Sequence, residues 1–216
     1  MKWTILKNEA KGPIFLWVMY PHRNEDPAEI LPKMEETVGN TEYTLAAVQV
    51  DDWNADLSPW EEDTSAGYFA GNAEKTLSYI KEEVVSELRK MHGEDRAIYI
   101  IGYSLAGLFA LWAAAKEDSF SGAASCSGSL WFPGWLAQLK EERGFLKNKK
   151  VYLSLGGKEA NTPDPMMKQV LVCTKEAEQI LKTENQVVFE MNSGGHFADS
   201  GKRLAKAVKW FTKSSQ

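Results

Sequence analysis

Two kinds of segment alternate along the chain: short continuous apolar runs, and longer stretches in which apolar positions recur with a helical period. Residues 14–20 and 43–50 are continuous apolar runs, a pattern typical of parallel strands that are buried on both faces. Shorter runs of the same kind predict further strands at residues 97–101, 123–126, 150–155 and 186–191.

The segments between these runs predict helices. In residues 73–91 the apolar side chains repeat every three or four positions, which indicates one amphipathic helix. Residues 105–115 are apolar on nearly every side, and they predict a helix buried in the protein because the segment is too short to span a membrane. Residues 165–182 and 200–213 complete the helices. We therefore predict a single α/β domain over residues 1–216, with a mostly parallel sheet and helices on both faces.

A candidate nucleophile lies between the strand at 97–101 and the buried helix. Gly102-Tyr103-Ser104-Leu105-Ala106 fits the pattern Gly-x-Ser-x-Ala/Gly directly after a strand and directly before a helix, which is the context of a nucleophile elbow. The turn is so tight that large side chains two positions from the serine would collide with the neighbouring strand or helix. We therefore predict that Ser104 is an exposed nucleophile.

A serine nucleophile needs a base, and the chain has three histidines. His92 ends the amphipathic helix beside a glycine, and His22 follows the first long strand, so both have simpler interpretations as helix-end and loop residues. His196 lies in the glycine-rich segment 192–197, between the last predicted strand and the last helix. Glycines there allow the backbone to bring the imidazole to the serine, so we predict that His196 is the general base.

The third member of such a triad is a carboxylate between the serine and the histidine in the chain. Glu159 and Asp164 compete for this role in the loop after the strand at 150–155. Asp164 precedes Pro165 at a helix start, where a capping role accounts for it. We assign the acid to Glu159 and keep Asp164 as the alternative.

The oxyanion of an acyl-transfer intermediate requires backbone N–H donors. The N–H of Leu105 follows the nucleophile directly, at the start of the helix. For the second donor we predict Tyr20, at the end of the first long strand, because the next residue, Pro21, has no N–H. Four aromatic side chains in the loops either line an acyl or aryl pocket or cover the core: Trp53, Trp60, Tyr68 and Phe69.

These segments resemble the esterase D-like family of α/β-hydrolases, which also includes enterobactin-type and feruloyl esterases. The resemblance is carried by residues 102–111, 52–60, 153–159 and 194–197, and it extends over residues 14–212. It implies an α/β-hydrolase fold and ester hydrolysis. Ala106 stands where the family usually has a second glycine, and the chain is short, so we expect a compact version of the fold with few N-terminal strands.

The charge balance argues against several partners. The chain has 25 basic and 30 acidic side chains and a net charge of −5, which gives no electrostatic reason to expect nucleic acid or an anionic membrane. The histidines and cysteines lack the spacing of a zinc site, and the mechanism implies no metal or organic cofactor. The apolar run at the N-terminus is too short for a signal peptide, so we expect a cytoplasmic protein.

Taken together, the sequence predicts a serine esterase that acts on a small-molecule carboxylic ester through an acyl-enzyme, with Ser104, His196 and Glu159 as a triad. The same triad also serves thioester cleavage, amide cleavage and acyl transfer, and these alternatives stay open at this point. A binding module that has kept the fold without the activity is the alternative from another class.

Overall fold

A seven-stranded sheet runs through the part of the chain that the computed structural model describes, residues 1–21, 26–141 and 146–213. Its order is β1-β3-β2-β6-β7-β8-β9; β1 is antiparallel to β3, and the other neighbours are parallel. Two further strands, β4 and β5, form a separate antiparallel hairpin. In chain order the strands are β1 (Lys2–Lys7), β2 (Ile14–Met19), β3 (Thr44–Gln49), β4 (Glu61–Thr64), β5 (Gly67–Ala70), β6 (Ile98–Tyr103), β7 (Phe120–Cys126), β8 (Lys150–Gly156) and β9 (Gln186–Asn192).

Helices cover both faces of this sheet. The described helices are α1 (Pro27–Val38), α2 (Trp53–Leu57), α3 (Ala73–Tyr79), α4 (Ser86–His92), α5 (Leu105–Lys116), α6 (Trp135–Glu141), α7 (Val170–Leu181) and α8 (Ser200–Lys213). The apolar faces of α1 and α8 pack on one side of the sheet, and those of α3, α4, α5, α6 and α7 pack on the other. The predicted architecture, a mostly parallel sheet between two helical layers, is confirmed.

The continuous apolar runs mark the buried strands correctly. Every residue of β2 and of β6 is buried, because helices cover both faces of these central strands. Helix α5 is buried along almost its whole length. The helix predicted over residues 73–91 is one continuous helical path, but a π-helical turn, Ile80–Val85, separates α3 from α4. None of the helices in the described ranges has the length and apolar character needed to cross a bilayer.

Several elements escaped the sequence analysis. Strand β1 lies at the edge of the sheet and is only half-buried, so it lacks the continuous apolar run of the central strands. Helix α1 begins at Pro27 behind the capping side chain of Asp26, and it contains Pro32, a residue that counts against a helix in any pattern-based prediction. The hairpin of β4 and β5, helix α2 and helix α6 are each too short to show a clear period.

The strand order decides where the site forms. Strands β6, β7, β8 and β9 are successive neighbours and parallel. Their carboxyl ends therefore meet at one edge of the sheet, and the loops that follow them converge there.

Candidate active site

Ser104 occupies the turn between β6 and α5 in an unusual backbone conformation. Its φ is 56° and its ψ is −123°, values that cost a non-glycine residue about 1–3 kcal/mol and that persist only where the surroundings enforce them. Its N–H donates to the carbonyl of Cys126 at 3.0 Å. A Cβ atom on Gly102 would lie 2.2 Å from the carbonyl oxygen of Ala106. The steric argument for glycine at this position is therefore correct.

His196 lies beside Ser104, although the two residues are far apart in the chain. The Nε2 atom of His196 is 3.0 Å from the Oγ atom of Ser104. The imidazole comes from the loop after β9, and its side chain is 31% exposed. One side of the imidazole is thus accessible to solvent from the cavity, and the other side contacts the protein.

Glu159, in the loop after β8, contacts the second nitrogen of this imidazole. Its Oε2 lies 2.8 Å from His196 Nδ1. Its Oε1 accepts from the N–H of Gly156 at 2.5 Å and from the hydroxyl of Ser127 at 2.8 Å. Burial raises the pKa of the Glu159 carboxyl, but the hydrogen bond and charge of His196, with the donors from Gly156 and Ser127, outweigh that effect and leave the pKa below its usual value.

The tautomer of His196 follows from these contacts. An ionised carboxylate only accepts hydrogen bonds, so Nδ1 carries the proton that is donated to Glu159. In the neutral ring Nε2 is then unprotonated and accepts from the hydroxyl of Ser104. This arrangement can take a proton from the serine without any rotation of the ring.

Asp164, the alternative carboxylate, caps a turn instead. Its Oδ1 accepts from the N–H groups of Met166 and Met167 at 2.9 and 2.8 Å, and its Oδ2 accepts from the hydroxyl of Ser65 at 2.7 Å. Asp164 thus caps the start of the short 3-10 turn Met167–Gln169, which leads into α7. The structure therefore brings Glu159, and not Asp164, to the imidazole.

The two predicted oxyanion donors lie at the ends of neighbouring strands. Leu105 is the first residue of α5, and Tyr20 directly follows β2, which pairs with β6 in the sheet. The ring of Tyr20 is 6.3 Å from that of Trp53, and Trp53 lines the cavity in front of Ser104. The roles of Leu105 and Tyr20 as donors stay predictions.

A cavity of about 500 Å³ opens in front of the serine. Three aromatic side chains form part of its wall, Trp53, Trp131 and Phe197, and Phe197 is 75% exposed. Met167 and Val170 add further apolar surface, and polar groups come from the loop around Lys158 and Thr162. A mostly apolar pocket with a few polar groups is suited to a small organic ligand.

The other three aromatic residues predicted for this pocket do not line it. The Nε1 atom of Trp60 donates to the carbonyl of Pro133 at 3.0 Å, and Trp60 packs beside Phe132. Phe69 is buried against the same phenylalanine, with ring centroids 5.2 Å apart. Tyr68 lies in the hairpin, is 55% exposed and donates to Glu61. Trp60 and Phe69 therefore cover the core, as the alternative interpretation had it.

Three further residues of the site were not predicted from the sequence. Arg203 and Ser127 contact Glu159, and Tyr103 contacts Arg203. Arg203 is 1% exposed, and its Nη1 lies 2.6 Å from Glu159 Oε1. A signal was present in the pattern: Arg203 precedes Ala207 and Phe211 by four and eight residues, so the helical period places it on the buried stripe of α8. A charged residue on such a stripe requires a partner.

His92 is not part of this cluster. His92 ends α4, and its Nδ1 lies 2.9 Å from Arg96 Nη1. His22 lies outside the described residues. Within the described ranges, histidine, cysteine and carboxylate side chains form no group of three or more that is arranged to hold a metal ion.

Comparison with solved structures finds similar folds in two enzymes. The IroE-like serine hydrolase from Shewanella oneidensis superposes with a TM-score of 0.76 at 14% identity, over 96% of this chain and 72% of that one. The enterobactin esterase FES from Shigella flexneri superposes with a TM-score of 0.69 at 16% identity, over 99% of this chain and 55% of that one. The likeness supports an α/β-hydrolase fold.

Comparison of the sequence with known proteins identifies one relative and one matching family. The chain is 22% identical to "Uncharacterized protein YbbA" of Bacillus subtilis (strain 168) over 182 aligned residues. The alignment covers 78% of this chain and 73% of that protein. The model of the family described as "Putative esterase" matches residues 40–210. Since this match spans well over half of the chain, the protein belongs to the "Putative esterase" family and is a carboxylic ester hydrolase.

Proposed function

We propose that this protein hydrolyses a small-molecule carboxylic ester through an acyl-enzyme on Ser104, with His196 as general base and Glu159 as the orienting acid. The observation that supports the proposal most strongly is the unbroken hydrogen-bonded chain from Ser104 Oγ to His196 Nε2, at 3.0 Å, and from His196 Nδ1 to Glu159 Oε2, at 2.8 Å. It ends on a serine whose backbone is held in a strained turn.

The reaction has two halves. In the first, Ser104 Oγ attacks the carbonyl carbon of the ester while His196 Nε2 takes the hydroxyl proton. The tetrahedral intermediate collapses, His196 gives this proton to the leaving alcohol, and the acyl group stays on the serine. In the second half, His196 takes a proton from water, which attacks the acyl-enzyme, and the acid leaves as Ser104 regains its proton.

The other residues have supporting roles in this scheme. Glu159 keeps the Nδ1 tautomer and stabilises the imidazolium that forms in each half. The N–H groups of Leu105 and Tyr20 stabilise the oxyanion, which requires donors aimed at the position that the charged oxygen takes up. The aromatic wall of the cavity, Trp53 with Trp131 and Phe197, binds the apolar part of the ester.

The test is active-site labelling combined with turnover of p-nitrophenyl acetate. A fluorophosphonate probe should label wild-type protein stoichiometrically at Ser104, and Ser104→Ala should abolish both labelling and turnover, by about a million-fold in kcat, at an unchanged melting temperature. Turnover by Ser104→Ala within about ten-fold of wild type would remove Ser104 from the mechanism. Matched thioester and amide substrates assayed beside the ester decide among the acyl chemistries that this triad can perform.

A further inference from the structure

Arg203, on α8, is a fully buried charged group of this site that the acyl-enzyme scheme does not use. It is one of the largest fully buried side chains of the described chain, with 1% of its surface exposed. Removing a guanidinium from water is costly unless charged and polar partners surround it. The identity of these partners therefore indicates why a charge lies here.

One nitrogen of the guanidinium holds the acid. Arg203 Nη1 lies 2.6 Å from Glu159 Oε1, 2.6 Å from the hydroxyl oxygen of Ser127 and 2.9 Å from that of Tyr103. The carboxylate thus has one oxygen bound to the arginine and the other bound to His196. Such a pair of contacts restrains rotation of the carboxylate about its own axis.

The other nitrogen holds the loop that carries the base. Arg203 Nη2 donates to the carbonyl of Gly195 at 2.8 Å and to that of Ser193 at 3.0 Å. A third link passes through Tyr103, whose hydroxyl accepts from Arg203 and donates to the backbone carbonyl of His196 at 2.5 Å. One planar guanidinium therefore connects the acid loop after β8 with the histidine loop after β9.

The space around the guanidinium is closed. A Cβ atom on Gly156 would lie 2.6 Å from Arg203 Nη2, 2.6 Å from the carbonyl oxygen of Gly194 and 2.9 Å from Glu159 Oε1. The glycine thus allows the arginine and both loops to meet at one point. Both terminal nitrogens of the guanidinium are hydrogen-bonded there, whereas the buried Nε has no partner among the described residues.

We infer that Arg203 is a positioning residue of the hydrolytic site, which holds Glu159 and the backbone around His196 as one rigid unit and partly neutralises the carboxylate. This inference rests on the proposed function. A shift of about 1 Å between acid, base and nucleophile is enough to lower a rate about a hundred-fold, so the links to both loops matter for kcat more than for KM.

The experiment compares Arg203→Met and Arg203→Lys with wild type and Ser104→Ala, using p-nitrophenyl acetate between pH 5 and 9 with melting temperatures recorded in parallel. For Arg203→Met we expect kcat to fall by about a hundred-fold or more with a small change in KM. Arg203→Lys keeps the charge but cannot reach both loops, so its kcat should fall by about ten-fold, less than that of Arg203→Met.

A matched control is available on the same helix. Lys209 donates to the carbonyl of Thr37, on α1, at 2.7 Å, and this contact involves neither the acid loop nor the histidine loop. Lys209→Met also removes a partly buried cation from α8, so it should lower the melting temperature while leaving kcat and KM unchanged. The loss of a cation elsewhere on the helix would therefore not reproduce the effect of Arg203→Met.

The outcomes distinguish a failure of the proposed function from a failure of the inference about Arg203. Appreciable turnover by Ser104→Ala would overturn the proposed function itself. An inactive Ser104→Ala beside a folded Arg203→Met with wild-type kcat would overturn only the inference about Arg203. If Arg203→Met does not fold, Arg203→Lys decides, and a wild-type kcat overturns the inference. If neither variant folds, Tyr103→Phe decides, since it removes only the hydroxyl that links Arg203 to His196. An unchanged kcat of Tyr103→Phe would overturn the inference. A lowered kcat at constant KM would support it.

Discussion

The hydroxyl of Ser104 and the Nε2 atom of His196 lie 3.0 Å apart across the edge of the sheet where the loops after β6 and β9 meet. The strand of the serine and the strand of the histidine are separated in the sheet by β7 and β8. The loop after β9 therefore brings the histidine to the serine, and the contact between the two side chains depends on the position of that loop.

Replacing the base should abolish turnover without unfolding the protein. We expect His196→Gln to lower kcat by about 10⁵–10⁶-fold, because the serine then has no proton acceptor. His92→Gln serves as the control and should keep its activity. Turnover of p-nitrophenyl acetate and thermal melting of both variants check the prediction. A His196→Gln variant with turnover within about ten-fold of wild type would rule out the assignment.

The two competing carboxylates can be separated by one pair of variants. Glu159→Gln should lose up to about 10⁴-fold in kcat, because the imidazole loses control of its tautomer. Asp164→Ala should keep most of its turnover and melt earlier, since it loses the bonds from the N–H groups of Met166 and Met167. Turnover and thermal melting measured on both variants check the prediction.

The opposite pattern would be decisive as well. An inactive Asp164→Ala beside an active Glu159→Gln would transfer the acid role to Asp164. If both variants stay active, the imidazole is oriented without either carboxylate, and the site works as a dyad of Ser104 and His196.

The stability of the protein should fall in acid through Glu159. Its pKa in the folded protein lies below the ordinary glutamate value of 4.5, so the unfolded chain binds this proton more readily. The stabilisation is therefore complete above about pH 4.5 and is lost as the pH falls through the lower, folded pKa. Each unit by which the pKa is lowered is equivalent to about 1.4 kcal/mol.

Urea unfolding of wild type and Glu159→Gln between pH 3 and 7 measures this contribution. The free energy of unfolding of Glu159→Gln should fall less steeply below pH 4.5 than that of wild type. Glu82→Gln, which changes an exposed helix residue, should follow the wild-type curve. Equal slopes for wild type and Glu159→Gln would show that this carboxylate does not contribute to acid unfolding.

The elbow should tolerate no methyl group at Gly102. An added Cβ would lie 2.2 Å from the Ala106 carbonyl oxygen, and relieving that clash requires β6 and α5 to move apart. We expect Gly102→Ala to lower the free energy of unfolding by about 1–3 kcal/mol. Gly195→Ala is the control, since a Cβ there would meet no atom within 4 Å. Similar melting temperatures for the two variants would contradict the steric account of this turn.

The sequence by itself determined the features that depend on neighbours in the chain. Gly102 and Ser104 are identified together because a strand, a tight turn and a helix are local structures, and the clash that excludes a side chain at Gly102 involves a residue only four positions away. The buried strands β2 and β6 are recognised for a similar reason, since two covered faces require an unbroken apolar run.

Only the tertiary structure decided which residues from distant loops meet. The choice of Glu159 over Asp164 depends on the order of β8 and β9 in the sheet and on the path of each loop after it. Trp131 and Phe197 line the cavity, whereas Trp60 and Phe69 do not. The sequence could not distinguish these cases because aromatic residues are equally compatible with a core and with a pocket wall. Arg203 shows this most clearly: the helical period places a charge on a buried stripe, but its partners lie on loops that the helix meets only once the sheet has assembled.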